Sequence, residues 1–133
     1  MKLIQNTLIL FLFVSSLDAN NNNFSIEEVK QEYILSFKPK YRAKYSEKFE
    51  SLPPDVQKSC LVIYHEAKQH IDKISLEQKH DLSKLLYKFF DSYSLDDGKS
   101  VKIAQRIKKH FPELVGTREG SILNALAQES IER

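Results

Sequence analysis

Apolar side chains recur at intervals of three and four residues from Ile26 to Ile131, and little along that stretch would stop a helix. The 133 residues contain three glycines and four prolines. This spacing lines up apolar groups on one face of successive helices, whereas a half-buried strand needs strict alternation, and no run of that kind stands out. The expected fold class is all-α, a single compact domain of about five to six amphipathic helices. Cys60 is the only cysteine, so no internal disulfide can staple these helices and packing alone must hold them. Cys60 itself reads as a small core hydrophobe, with an intermolecular disulfide as the alternative.

Caps and breaks divide the chain. Ser25 with Glu28 has the pattern of a capping box and opens a first helix to about Ser36, with Ile26, Val29, Tyr33 and Ile34 as its apolar stripe. After Lys38-Pro39 a second helix carries Tyr41, Tyr45, Phe49 and Leu52, and Pro53-Pro54 ends it. Pro54 fits the first turn of a third helix expected to run to Ile74 on Val56, Cys60, Ile63, Tyr64, Ala67 and Ile71. Ser75, with Glu77 and Gln78 behind it, caps a fourth that has the broadest apolar face: Leu82, Leu85, Leu86, Phe89, Phe90 and Tyr93. Asp96-Asp97-Gly98 is the clearest turn signal. A fifth helix follows on Val101, Ala104, Ile107 and Phe111, with Pro112 stopping or bending it. Thr117 can cap a last one bearing Ile122, Leu123, Leu126 and Ile131.

Ahead of this domain, Lys2 followed by the apolar run Leu8 to Val14 and by Ser15, Ser16 and Ala19 reads as a signal peptide over residues 1–19, cut after Ala19 or after Ser16. The run is too short for a membrane span, which needs about 20 apolar residues. Residues 20–24 form an Asn-rich flexible arm ending in the sequon Asn23-Phe24-Ser25, so Asn23 is a glycosylation candidate. Residues 25–133 are the helical domain. The expectation is therefore a secreted, extracellular and monomeric protein.

Chemistry is sparse. His65 and His70 are five apart, and at 3.6 residues per turn they diverge by about 140°, too far for a helical metal pair. Glu66 and His70 share a face, but a third ligand would have to come from elsewhere, so no metal is expected. His80 and His110 stand alone, and no local pattern brings either to Cys60. Phosphate loops, dinucleotide fingerprints and hydrolase elbows are missing, which argues against an enzyme and against a cofactor. The net charge of +2 balances 20 basic against 18 acidic residues and demands no nucleic acid. Two basic clusters remain: Lys38, Lys40, Arg42, Lys44 and Lys48, then Lys102, Arg106, Lys108, Lys109 and His110. Each is the solvated face of a helix or a surface drawn to anionic membranes or to the head group of a fatty acid.

The stretch Lys68-Gln69-His70-Ile71-Asp72-Lys73-Ile74-Ser75-Leu76-Glu77-Gln78-Lys79, followed by Leu82, Leu85 and Leu86, resembles the nematode fatty acid and retinol binding proteins. Phe111-Pro112-Glu113-Leu114 ahead of Leu126-Ala127 is similar to the phenylalanine-proline step before that family's last helix. Tyr41-Arg42 through Leu52-Pro53-Pro54-Asp55 is more loosely similar to its opening. The family's chains are longer, and Cys60 is not in its pattern. The resemblance implies a shortened, divergent helical carrier of fatty acids or retinoids without catalytic residues. It also implies casein-kinase-type phosphosites, which Ser94 before Asp96-Asp97 fits, as does Ser25 with Glu28.

A carrier needs room, and an empty lipid-sized void of about 400 Å³ would cost on the order of 10 kcal/mol, comparable with a whole domain's stability. The interior must then close when empty or be occupied nearly always. Candidate lining residues are Ile63, Ala67, Ile71, Leu82, Leu86, Phe89, Phe90, Ile107, Phe111, Leu123 and Leu126, which an ordinary helical core would use equally. The competing expectation is a secreted interaction module that grips a partner protein through Tyr41, Arg42 and Tyr45.

Overall fold

The computed structural model describes residues 25–71 and 73–132. The segment expected to be a signal peptide, the Asn-rich arm and the glycosylation candidate Asn23 lie outside them. The described residues form six α-helices and no strand: α1 Ile26–Ser36, α2 Pro39–Glu50, α3 Pro54–His70, α4 Leu76–Leu95, α5 Ser100–His110 and α6 Arg118–Glu132, with a 3-10 turn over Pro112–Leu114.

Most boundaries follow the caps. The Ser25 hydroxyl accepts from the Glu28 amide. At α4 the capping box is complete, Ser75 accepting from the Gln78 amide while the Gln78 side chain accepts from the Ser75 amide. Thr117 accepts from the Gly120 amide at 3.1 Å and donates to the Leu114 carbonyl at 2.6 Å, which fixes the start of α6. Three helices end earlier than their apolar stripes suggest, α2 stopping at Glu50 with Leu52 beyond it. α3 stops at His70 rather than Ile74, because Ile71 turns extended and Lys73 takes a left-handed conformation at φ 53°. Its stripe continues through Ile71 only because that side chain folds back into the core. α5 stops at His110, where Phe111 is drawn out of the helical region by the proline after it.

The twenty-residue α4 is the axis of the fold, packed on α1, α3, α5 and α6. Helix α3 lies against α1 and α4 and reaches both the 3-10 turn and α6. It is hidden nearly all round along Ser59–Tyr64, so Leu61 and Val62 are core residues although they sit off its apolar stripe. One hydrophobic cluster runs through all six helices. Each large side chain in it contributes about 1.5–3 kcal/mol by leaving water.

Helices α1 and α2 are joined by a clamped corner. Arg42 donates from Nε to the Phe37 carbonyl and from Nη2 to the Leu35 carbonyl, both at 3.0 Å. These bonds satisfy carbonyls that the end of α1 leaves open. His80 of α4 accepts the Lys38 amide at its Nδ1, 3.0 Å away. Its ring sits edge-on to Phe37 and tilted against Tyr41. Burial first, then the nearby Lys38 and Lys84 charges, hold its pKa below the ordinary histidine range. A neutral imidazole is also what accepting that amide requires.

Candidate functional site

All eleven candidate lining residues are buried in the one core cluster. Ile63, Ala67 and Ile71 come from α3 and its end, and Leu82, Leu86, Phe89 and Phe90 from α4. Ile107 comes from α5, Phe111 from the turn, and Leu123 and Leu126 from α6. Phe89 and Phe90 meet edge to face with ring centres 5.2 Å apart. None of the eleven lines the surface clefts at α4 and α5, at α5 and α6, or along α1. Where the fold brings these residues together, they pack on one another.

The α2 trio is also engaged internally. Tyr45 is buried, stacked on Phe37 at 4.7 Å and edge-on to Tyr87 at 5.9 Å. Arg42 is spent on the α1 carbonyls. Tyr41 is partly exposed, as Arg42 is, and packs against His80. Ser94 is half-buried, its hydroxyl donating to the Asp91 carbonyl at 2.9 Å.

The fold does assemble a charged site from the basic clusters. An open cleft of about 300 Å³ is lined by Asp81, Lys84, Leu85 and Lys88 of α4 and by Arg106 and His110 of α5. Lys44 and Lys48 of α2 do not line the cleft but stand near enough to act on the Lys88 charge. The Lys88 ammonium is held below the usual lysine range, by partial burial first and then by repulsion from Lys84, Arg106, Lys48 and Lys44. Helical spacing explains the set: Lys84 and Lys88 are four apart on α4, as are Lys44 and Lys48 on α2, so each pair stands on one face. The two α2 lysines also lie over the Tyr45 ring, 5.9 and 5.8 Å from its centre. Three lysines away from the cleft are neutralised locally, Lys30 by Glu50, Lys38 by Glu77 and Lys68 by Glu32. None of Lys44, Lys48, Lys84, Lys88 or Arg106 makes an ion pair with another described residue. Asp81 in the lining and Asp91, which feels Lys48, offset part of this charge, and the five cations leave the cleft net positive. Sequence reading saw the clusters on α2 and α5 but not the α4 lysines that join them.

The polar groups of α3 divide. His65 pairs with Gln69, whereas Glu66 and His70 face α6, which supplies Glu119. Cys60 is fully buried, and burial pushes its thiol up to about 12, so the thiolate that nucleophilic chemistry needs is strongly disfavoured. No protein-family model, no curated protein and no solved structure matches this chain.

Proposed function

We propose that this protein is a secreted, non-enzymatic lipid-handling module that docks on anionic lipid head groups through the cationic cleft between α4 and α5. The observation that carries this reading is the gathering of Lys44, Lys48, Lys84, Lys88 and Arg106 from three helices with no ion pair among the described residues. Like charges held together by a folded scaffold raise the free energy of the unbound protein, and an anionic surface relieves that repulsion. Basic residues near such a surface contribute about 1 kcal/mol each. Sedimentation with phosphatidylserine-containing vesicles is the direct test. Binding should vanish on pure phosphatidylcholine and at high salt, and Lys84→Glu with Lys88→Glu should weaken it at least about tenfold. Equal sedimentation with neutral vesicles, or an unaffected double variant, would remove the reading.

The resemblance of residues 68–79 and 111–114 to the fatty acid and retinol binding proteins extends the proposal to cargo. Because the candidate lining residues pack on one another, an acyl chain must part the helices and replace side-chain contacts with its own, at up to about 0.8 kcal/mol per methylene buried. Delipidated protein should then gain melting temperature when oleate is added. Identical melting with and without oleate leaves docking at the surface and ends the case for carriage. Docking to a protein through α2 has less to work with, since Arg42 and Tyr45 are already committed inside the fold.

A further inference from the structure

The last turn of α3 meets the first turn of α6 at a corner that the cationic cleft does not use. Glu119 is fully buried there, at 0% exposure. Neither of its carboxylate oxygens accepts a hydrogen bond from a described residue. Its Oε2 lies 3.1 Å from Nε2 of His70, an approach without hydrogen-bond alignment. Glu66, one turn before His70, brings a second carboxylate, and one donor atom from each of the three residues lies within 4.8 Å of the others. The placement is fixed by the backbone: Gly120 presses against the turn so closely that a Cβ there would fall 2.2 Å from the Leu114 carbonyl oxygen. Glu119 is thereby turned in toward α3.

A buried carboxylate with no hydrogen bond is costly unless something positive shares it. An imidazole alone leaves Oε1 without a partner. We propose that Glu66, His70 and Glu119 form a binding site for a divalent transition-metal ion of the zinc class. One nitrogen and two oxygens suit such an ion, whereas calcium and magnesium prefer all-oxygen shells. Around a tetrahedral zinc with bonds of about 2.0–2.2 Å the donors stand roughly 3.3–3.6 Å apart. The His70 to Glu119 approach at 3.1 Å falls just short of that spacing, and Glu66, within 4.8 Å, reaches it by a side-chain adjustment. His70, 45% exposed, lies on the solvent side, so the fourth position falls to water. At the end of α3 the helix dipole favours the positive charge. The ion ties α3 to α6 across the sequence from His70 to Glu119, a cross-link in a chain whose single cysteine cannot make one.

The test is zinc titration of the chelator-stripped full chain by calorimetry, with cobalt(II) absorption as a geometric reporter. One ion per chain should bind, the cobalt complex should show visible bands of tetrahedral intensity, and zinc should raise the melting temperature. Loss of groups that merely orient ligands weakens metal sites about 10–100-fold, so His70→Ala should cost about 100-fold or more and Glu119→Gln at least about tenfold. His70 is exposed enough for its variant to keep the fold, and Glu119→Gln keeps the shape. Absence of binding, or wild-type affinity in either variant, overturns the proposal. Neither result touches the vesicle measurements, which depend on other residues.

Discussion

Where α1 meets α4, Tyr33 donates its buried hydroxyl to the Ser83 carbonyl at 3.0 Å and receives the Cys60 thiol at 3.8 Å. Ser36 donates to the Tyr33 carbonyl and shares a hydrogen bond with the Ser83 hydroxyl. Where α3 meets α6, Glu119 is buried as deeply and accepts no hydrogen bond from a described residue. Both places hide polar atoms from water, but the seam satisfies them within the fold and the corner does not. A satisfied network serves to align helices, while an unsatisfied buried carboxylate calls for an explanation, which the proposed ion supplies.

The largest effect expected from this contrast lies in the seam. The Tyr33 ring sits 5.2 Å from Phe37, 5.0 Å from Phe49 and 5.3 Å from Tyr64, so its contacts join α1, α2 and α3. Tyr33→Ala should cost about 3–5 kcal/mol in denaturant unfolding, as truncations of buried aromatics do. Tyr33→Phe keeps the ring and should cost about 1 kcal/mol for the lost hydroxyl. A Tyr33→Ala variant within about 1 kcal/mol of wild type would mean that the seam does not organise the core.

The same seam should show itself in alkali. Cys60 is raised from 9.0 to about 12, chiefly by burial, and Tyr33 is pushed well above its usual value by burial and by Cys60. An acid whose folded pKa is raised holds its proton better in the native state. Its stabilising contribution is therefore complete below the unfolded value and is lost as pH rises toward the folded one. Stability should fall from about pH 9 upward by about 1.4 kcal/mol per pH unit for the thiol, before Tyr33 adds to the slope. Cys60→Ala lowers the starting stability but should flatten the limb between pH 9 and 10. An unchanged slope would place the titrating group elsewhere.

The seam and the corner also differ in how far the sequence announces them. The stripes Val29 and Tyr33, Cys60 to Ala67, and Leu82 to Tyr93 are local periodicities, and helices α1, α3 and α4 follow from them. Phe37 belongs to no helical stripe, sitting in the break before Pro39, yet it is among the most buried residues because Tyr45 and His80 close over it. Spacing cannot report such a contact, since it joins two helices through a turn. His80 reads as solitary for the same reason, its partner being the Lys38 amide. Of the candidate sites, the basic clusters are visible one helix at a time, but their meeting around Lys88 is set by packing. Glu66 and His70 show the right face and lack a third group; Glu119 lies in a polar stretch that no local rule ties to them.

The smallest effect is the one that separates the two regions most sharply. Glu119→Gln and Tyr33→Phe both change one polar function and keep the side chain's size, and both positions are fully buried. At the seam the lost group was satisfied, so the fold gives up its hydrogen bond. At the corner no hydrogen bond from a described residue offsets the burial of the carboxylate, and an amide of the same shape is less costly to bury. Measured in chelator by denaturant unfolding, Glu119→Gln should therefore lose nothing and gain up to about 1 kcal/mol, the opposite sign to Tyr33→Phe. If it instead loses as much as the tyrosine variant, the His70 contact at 3.1 Å is a stabilising ion pair in its own right, and the corner belongs with the seam as structure.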